Sequence, residues 1–291
     1  MNEPLNLLEE ITKRYGAIKR ARGCFLYTQS GTRITDLWLD GGRAVLGWGA
    51  GKSRLYFKNS IDRGFFGIYG SKFPQALEKA LRSICGEFAF FAFYTDKAKV
   101  QAALSCAGLR ADNPPLYLPW LDYGLNLPPL PHAKIKKPAL YCTDDSLKNE
   151  PALKAEAGCV EIVLPFSWQP ASVLAFRDAA LQQKVPESDG MPAPLCEALC
   201  RAVYDLRLAL PARAAEDWAL FDKEIAPYWH RIGPYLKYKG TEESYSAFFM
   251  HCLEQKLLIA PSCSAFSVVP FGADTGVFSL LKNNPYCHCR A

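Results

Sequence analysis

Two groups of residues in this chain have the types and spacing for chemistry. The first is LGWGAGKSRLYF, Leu46 to Phe57, where three alternate glycines run into Lys52-Ser53. Such a stretch cradles a nucleotide phosphate when a glycine stands five residues before the Gly-Lys-Ser end, a buried strand precedes it and a helix follows. With Gly51 as the second glycine, the first falls at position 46, which is leucine. Upstream, RGCFLYTQSGTRITDLWLDGG alternates apolar and polar residues about Ser30-Gly31, the pattern of a hairpin with one wet face. Downstream, RLYFKNSIDRGFFGIYGSKF shows no helical period. The expectation is a glycine-rich connection after a hairpin, not an ATP loop.

The second group is sulfur and imidazole. The chain has 11 cysteines, an odd number, most of them inside apolar runs and none in a Cys-x-x-Cys pair. Cys196 and Cys200 are one helical turn apart, and His251-Cys252 and the terminal CHCRA add further donors. Zinc takes about four ligands at recurring spacings, and these match none of them. Free buried thiols in a reducing cytoplasm are expected, and no metal site.

The elements that position these residues follow from periodicity. Asn2 to Arg20 reads as an amphipathic helix, with acids early and bases late. Pro74 opens a second helix with Leu77, Leu81 and Ile84 on its buried side. EFAFFAFY, Glu87 to Tyr94, is apolar throughout, as in a strand covered on both faces. TDKAKVQAALSCAG then supplies a cap at Thr95 or Asp96 and an alanine-rich helix. After the proline-rich stretch 109–137, PALYCT and CVEIVLPF read as strands, and PASVLAFRDAALQQ as a helix. PLCEALCRAVYDLRLAL and residues 214–229 read as helices, and PYLKYK as a strand. Tyr245, Phe248, Phe249 and Cys252 mark the buried side of a last long helix. Helix, buried strand, tight turn and helix make an α/β signature.

In this order the pieces resemble the class III aminotransferases, pyridoxal-phosphate enzymes of a large α/β fold. Gly23, Leu26-Tyr27, Gly31, Arg33, Asp36, Gly41 and Leu46-Gly47 stand in the order of that family's N-terminal motif, with Trp48 in place of its histidine. LGWGAGKS then is similar to the family's Leu-Gly-His corner. Residues 73–108 resemble its helix, strand and phosphate turn, MPAPLCEALCRAVYDL its Asn-Pro-Leu helix, and YSAFFMHCLEQKLLIAPSCSAFSVVPFGADTGVFSLLKN its C-terminal segment. The chain is shorter than the family, and the loss falls in its middle. The resemblance implies an α/β chain of the fold-type-I pyridoxal-phosphate transferase kind. Its reduced central sheet is flanked by helices, with a small α/β lobe from both chain ends. The implied segments are 1–70 for the small lobe, 71–210 for the cofactor-type domain and 211–291 for the C-terminal return.

The resemblance also implies site residues. Thr95 takes the place of the phosphate turn, Tyr123 that of the ring-stacking aromatic, and Asp144, or its neighbour Asp145, that of the carboxylate on the ring nitrogen. Thr95-Asp96-Lys97 lacks the turn's glycine and adds an acid, so Asp96 also reads as a plain helix cap. The Schiff-base lysine falls at Ser167, or within one residue at Phe166 or Trp168, and a second alignment omits that segment. Serine forms no imine. The family's neighbouring-subunit threonine falls near Ser188-Asp189-Gly190. Catalytic residues are therefore none, and only a remnant cofactor site is expected. Three readings follow: a protein that has lost transamination, an enzyme using a recruited lysine such as Lys97 or Lys184, or a small-molecule-binding protein using the cleft. The family works as dimers, which implies a homodimer or a heterodimer with a full-length homologue. The net charge of +5 is mild and the densest basic run, KIKK, is short, so no nucleic-acid partner is expected. No signal peptide and no membrane-spanning run are read, and the expected place is the cytoplasm.

Overall fold

The computed structural model describes residues 6–65, 72–109, 115–120, 158–168 and 171–287. In chain order, the elements begin with α1 (Leu7–Tyr15), β1 (Ile18–Arg22), β2 (Phe25–Thr28), β3 (Arg33–Asp36), α2 (Ser53–Asp62) and α3 (Phe73–Arg82). They continue with β4 (Phe90–Tyr94), α4 (Lys97–Cys106), β5 (Leu116–Tyr117), β6 (Cys159–Ile162), β7 (Ser172–Phe176) and α5 (Ala193–Ala209). The last are α6 (Ala215–Ala219), α7 (Asp222–Ile225), β8 (Trp229–Ile232), β9 (Tyr235–Tyr238), α8 (Glu242–Glu254), β10 (Leu257–Leu258), β11 (Ser267–Val268) and α9 (Ser279–Asn283). The chain is mixed α/β and forms two compact units.

Among the described residues, one unit takes 6–50 and 213–287, so segments from both halves of the chain belong to it. Its first sheet runs β1-β2-β3-β10, with β10 parallel to β3 through Thr35↔Leu257 and Asp36↔Leu258. A second sheet, β11-β9-β8, is antiparallel. The expected hairpin is present: Gly31, at φ +83°, turns β2 into β3 while the Thr28 hydroxyl accepts from the Thr32 amide at 3.1 Å. The expected N-terminal helix is shorter than read. It ends at Tyr15 because Gly16 adopts φ +76°, and Ile18–Arg22 leaves as a strand. Residues 214–229 form two short helices that give way to β8 at Trp229, rather than one helix.

The other unit takes the described residues between 51 and 212. Its sheet runs β4-β7-β6-β5. Phe90 and Phe176, paired across β4 and β7, stack with centroids 4.6 Å apart. Ala103 and Leu104 of α4 join the same core. Residues 172–176 are a central strand and not the helix expected from PASVLAF. Val173, Leu174, Ala175 and Phe176 are all fully buried, and an all-apolar run carries no period to separate helix from strand. A second correction falls at α2. Residues 53–62 are helical without an apolar period to announce it: Leu55, Tyr56 and Ile61 are exposed, and the buried positions are Ser53 and Ser60. The expected strand PALYCT lies outside the described residues.

Candidate functional site

Strands β4 and β6 are each antiparallel to β7, so they run the same way, and β5 is parallel to β6. Three carboxyl ends therefore share one end of the sheet, the end at which open α/β sheets bind ligands. Thr95 and α4 leave from β4 there, and residues 163–168 from β6.

The start of α4 is chemically complete. Asp96 is the N-cap, in extended conformation, and its carboxylate accepts from the Ala98 amide at 2.8 Å. A second carboxylate arrives from residue 189. Asp189 Oδ2 accepts from the Thr95 amide at 2.8 Å and from the Thr95 hydroxyl at 2.9 Å, while Oδ1 meets the Lys99 ammonium. The Asp189 segment is tied along the open edge of β4. The Asp189 amide donates to the Phe93 carbonyl at 2.8 Å, the Phe93 amide donates to the Ser188 hydroxyl at 2.9 Å, and the Tyr94 hydroxyl donates to the Pro186 carbonyl at 2.7 Å. Lys99, followed by the two Thr95 donors, holds the Asp189 carboxyl down at about 2. The same pairing raises the Lys99 ammonium. Both groups are therefore charged through the physiological range.

Of the residues singled out in the sequence, Thr95 is described and exposed, with both its amide and its hydroxyl engaged by Asp189. Tyr123 and Asp144, with Asp145, lie outside the described residues. Ser167 and Trp168 are exposed in the run after β6. Trp168 and Phe166 pack on Phe57 of α2 with centroids 5.1 and 6.2 Å away. Lys97 and Lys184 are both exposed. Lys99 is absent from the sequence reading. Its place three residues after the cap was a usable signal, since that turn faces the helix start.

The glycine-lysine stretch has the same logic. Ser53 does start a helix, but the Lys52 amide at that start donates to Asp205 Oδ2 at 2.8 Å. Arg201, one turn earlier on α5, holds the other oxygen from Nε at 2.9 Å. Gly51 sits at φ +72°, and a β-carbon there would overlap the Asp205 carboxylate. We predict that Gly51→Ala destabilises the protein by about 2 kcal/mol, since left-handed backbone alone costs about 1–2 kcal/mol for a residue with a β-carbon. A urea titration showing unchanged stability would mean that the backbone at position 51 leaves the left-handed region and Asp205 swings aside.

The N-terminal motif residues converge in the other unit. Gly23 and Trp48 exchange backbone hydrogen bonds of 3.2 and 2.6 Å. The Trp48 indole donates to Asp36 Oδ2 at 2.8 Å, and the Trp38 and Leu39 amides donate to Asp36 Oδ1 at 3.0 and 2.8 Å. Asp36 is 1% exposed, and its burial pushes the carboxyl up to about 6 against those three donors. It anchors a turn of four successive residues with positive φ, Leu39 to Gly42.

No family model matches the sequence. Among solved structures, an acetylornithine aminotransferase from Elizabethkingia anophelis is similar with a TM-score of 0.55 at 15% identity, covering 97% of this chain and 98% of that one. A glutamate-1-semialdehyde aminomutase from Pseudomonas aeruginosa PAO1 gives 0.58 at 12%, covering 95% and 92%. Likeness at such identities shows the fold. An uncharacterized protein of Treponema pallidum (strain Nichols) is 30% identical over 288 residues, covering 90% of this chain and 91% of its own. The chain thus belongs to the same family as that Treponema pallidum protein, and its fold is that of the aminotransferases.

Proposed function

We propose that this protein is an aminotransferase-like protein that has lost transamination and serves as a non-catalytic subunit or pseudoenzyme. The observation that carries the reading is the Asp189 carboxylate at the start of α4, where the resemblance would seat the cofactor phosphate. Thr95 has already given that acid both of its donors. A phosphate in the same place would meet Asp96 and Asp189, two like charges, with no glycine in Thr95-Asp96-Lys97 to let the backbone approach. These residues do not fit pyridoxal phosphate. The run Val163 to Trp168 after β6 contains no lysine, which supports the same reading.

The test is to mix the purified protein with pyridoxal phosphate, record the visible spectrum, reduce with borohydride and map the peptides. The expected result is no aldimine band, no adduct confined to one lysine and no amino-group transfer. A single pyridoxylated lysine, with turnover abolished when it becomes alanine, would establish a recruited-lysine enzyme instead.

We further propose assembly as a homodimer or with a full-length homologue. Leu55, Ile61, Phe65 and Trp168 are 53%, 39%, 42% and 58% exposed, apolar side chains that a partner subunit would bury. Light scattering is expected to give twice the chain mass. A monomer at micromolar concentration, with no capture of the homologue, would count against both forms. Nine cysteines among the described residues are free thiols, which supports a cytoplasmic location. Among the described residues no helix is long and apolar enough to cross a membrane.

A further inference from the structure

We propose that the outer edge of β1, with the arginine face beside it, docks an extended, carboxylate-bearing segment of a partner protein as an added strand. The inference is independent of the loss of transamination.

Register builds the face. Arg20 pairs with Tyr27, which pairs with Arg33, and Arg22 pairs with Phe25. Paired residues share a face of the sheet, so Arg20, Arg22, Arg33, Phe25 and Tyr27 stand together. The opposite face carries Leu26, Thr28, Ile34 and Asp36, all buried. The sheet's own acid thus points away from the arginines. All three arginines are exposed, and none makes an ion pair among the described residues.

Two of the three guanidiniums are held in place. Arg20 lies 4.5 Å over the Tyr27 ring and Arg33 4.5 Å over the Phe25 ring. Stacking fixes each planar fork, so little further freedom is lost when it grips a carboxylate. The strand edge supplies the second half of the site. β1 is the first strand of its sheet, and no described strand lies on its outer side, where Trp48 bridges only Gly23, just past its end. An open edge offers unpaired backbone donors and acceptors to an incoming extended segment.

Spacing matches the two halves. Alternate residues of a strand are about 7 Å apart on one face, in β1 and in an added strand alike. Acids at alternate positions of the incoming segment therefore lie opposite Arg20 and Arg22. The register irregularity between Ile18 and Arg20 keeps the regular edge short, so backbone pairing alone is insufficient and charge selects the occupant. A single-stranded nucleic acid fits less well, since base stacking needs open ring faces and the arginines cover these.

The experiment is fluorescence anisotropy of a labelled peptide with glutamate alternating with valine, beside its lysine-for-glutamate counterpart and a single-stranded oligonucleotide. Binding of the acidic peptide is expected, weakening as salt rises, with slowed amide exchange at residues 18–22. Arg20→Glu with Arg22→Glu should weaken it at least about tenfold, as losing and reversing close charge pairs does. A melting curve checks that this double variant is folded. Should it unfold, the milder Arg33→Gln variant is read in its place and should weaken binding in the same direction. The proposal is overturned by equal binding of the acidic and lysine peptides, by an affinity indifferent to the arginines, or by arginine-dependent preference for the oligonucleotide.

Discussion

Phe248→Ala should destabilise the unit that carries β8 and β9 by about 3–5 kcal/mol, the usual cost of deleting a large buried aromatic side chain. Phe248 is completely buried on α8. Its ring centroid lies 4.8 Å from Tyr238, 5.1 Å from Trp229, and 5.3 Å from both Tyr228 and Tyr286. Those neighbours come from β9, β8 and the segments flanking the sheet, so alanine leaves a cavity walled by four rings that have no flexible tails to fill it. Whole domains hold about 5–15 kcal/mol, so the loss is a large fraction of the total. Trp229 reports it directly, because its near-ultraviolet signal depends on this packing. Leu220→Ala, at an exposed site of the same unit, is the control and should stay within about 0.5 kcal/mol. A loss under about 1 kcal/mol for Phe248→Ala would show that the rings collapse onto the gap.

The second large effect is a pH dependence set by Asp36. Burial raises its folded carboxyl from 3.8 to about 6, and the hydrogen bonds from Leu39, Trp48 and Trp38 oppose the rise. The folded protein then binds the proton more tightly than the unfolded chain. The stabilisation from that proton is fully present below about pH 4 and is lost as pH rises through 6. A difference of this size corresponds to about 3 kcal/mol. Urea midpoints measured at intervals from pH 4 to 7 should show this fall in the native protein, and Asp36→Asn should remove it. Parallel curves for the two proteins would mean that the three donors hold Asp36 at its ordinary value. Asp189 acts in the opposite sense and in another window. Its lowered carboxyl stabilises above about pH 4 and releases that stabilisation only toward pH 2.

Much of the architecture is legible in the chain because it rests on local chemistry. The cap at Asp96, the turn at Gly31 and the helices at 73–82, 193–209 and 242–254 follow from residues within one or two turns of each other. PASVLAF is different. Each of its apolar residues suits a helix or a strand, and only pairing with β4 on one side and β6 on the other selects the strand.

The amino-acid sequence by itself determined the starts of α3 and α4, the course of α5 and α8, the turn at Gly31 and the absence of lysine from the run Val163 to Trp168. Those are properties of side chains and of their near neighbours. Tertiary structure alone decided which acid meets which helix start. Asp189 lies 94 residues from Thr95, and Asp205 lies 153 from Lys52. Tertiary structure also gathered Arg20, Arg22 and Arg33 on one sheet face, where the linear sequence shows only scattered charge. The reason is the range of the forces. Capping and turn preferences act within a few residues, whereas a carboxylate and the amide it satisfies are brought together by the burial of the strands and helices that carry them.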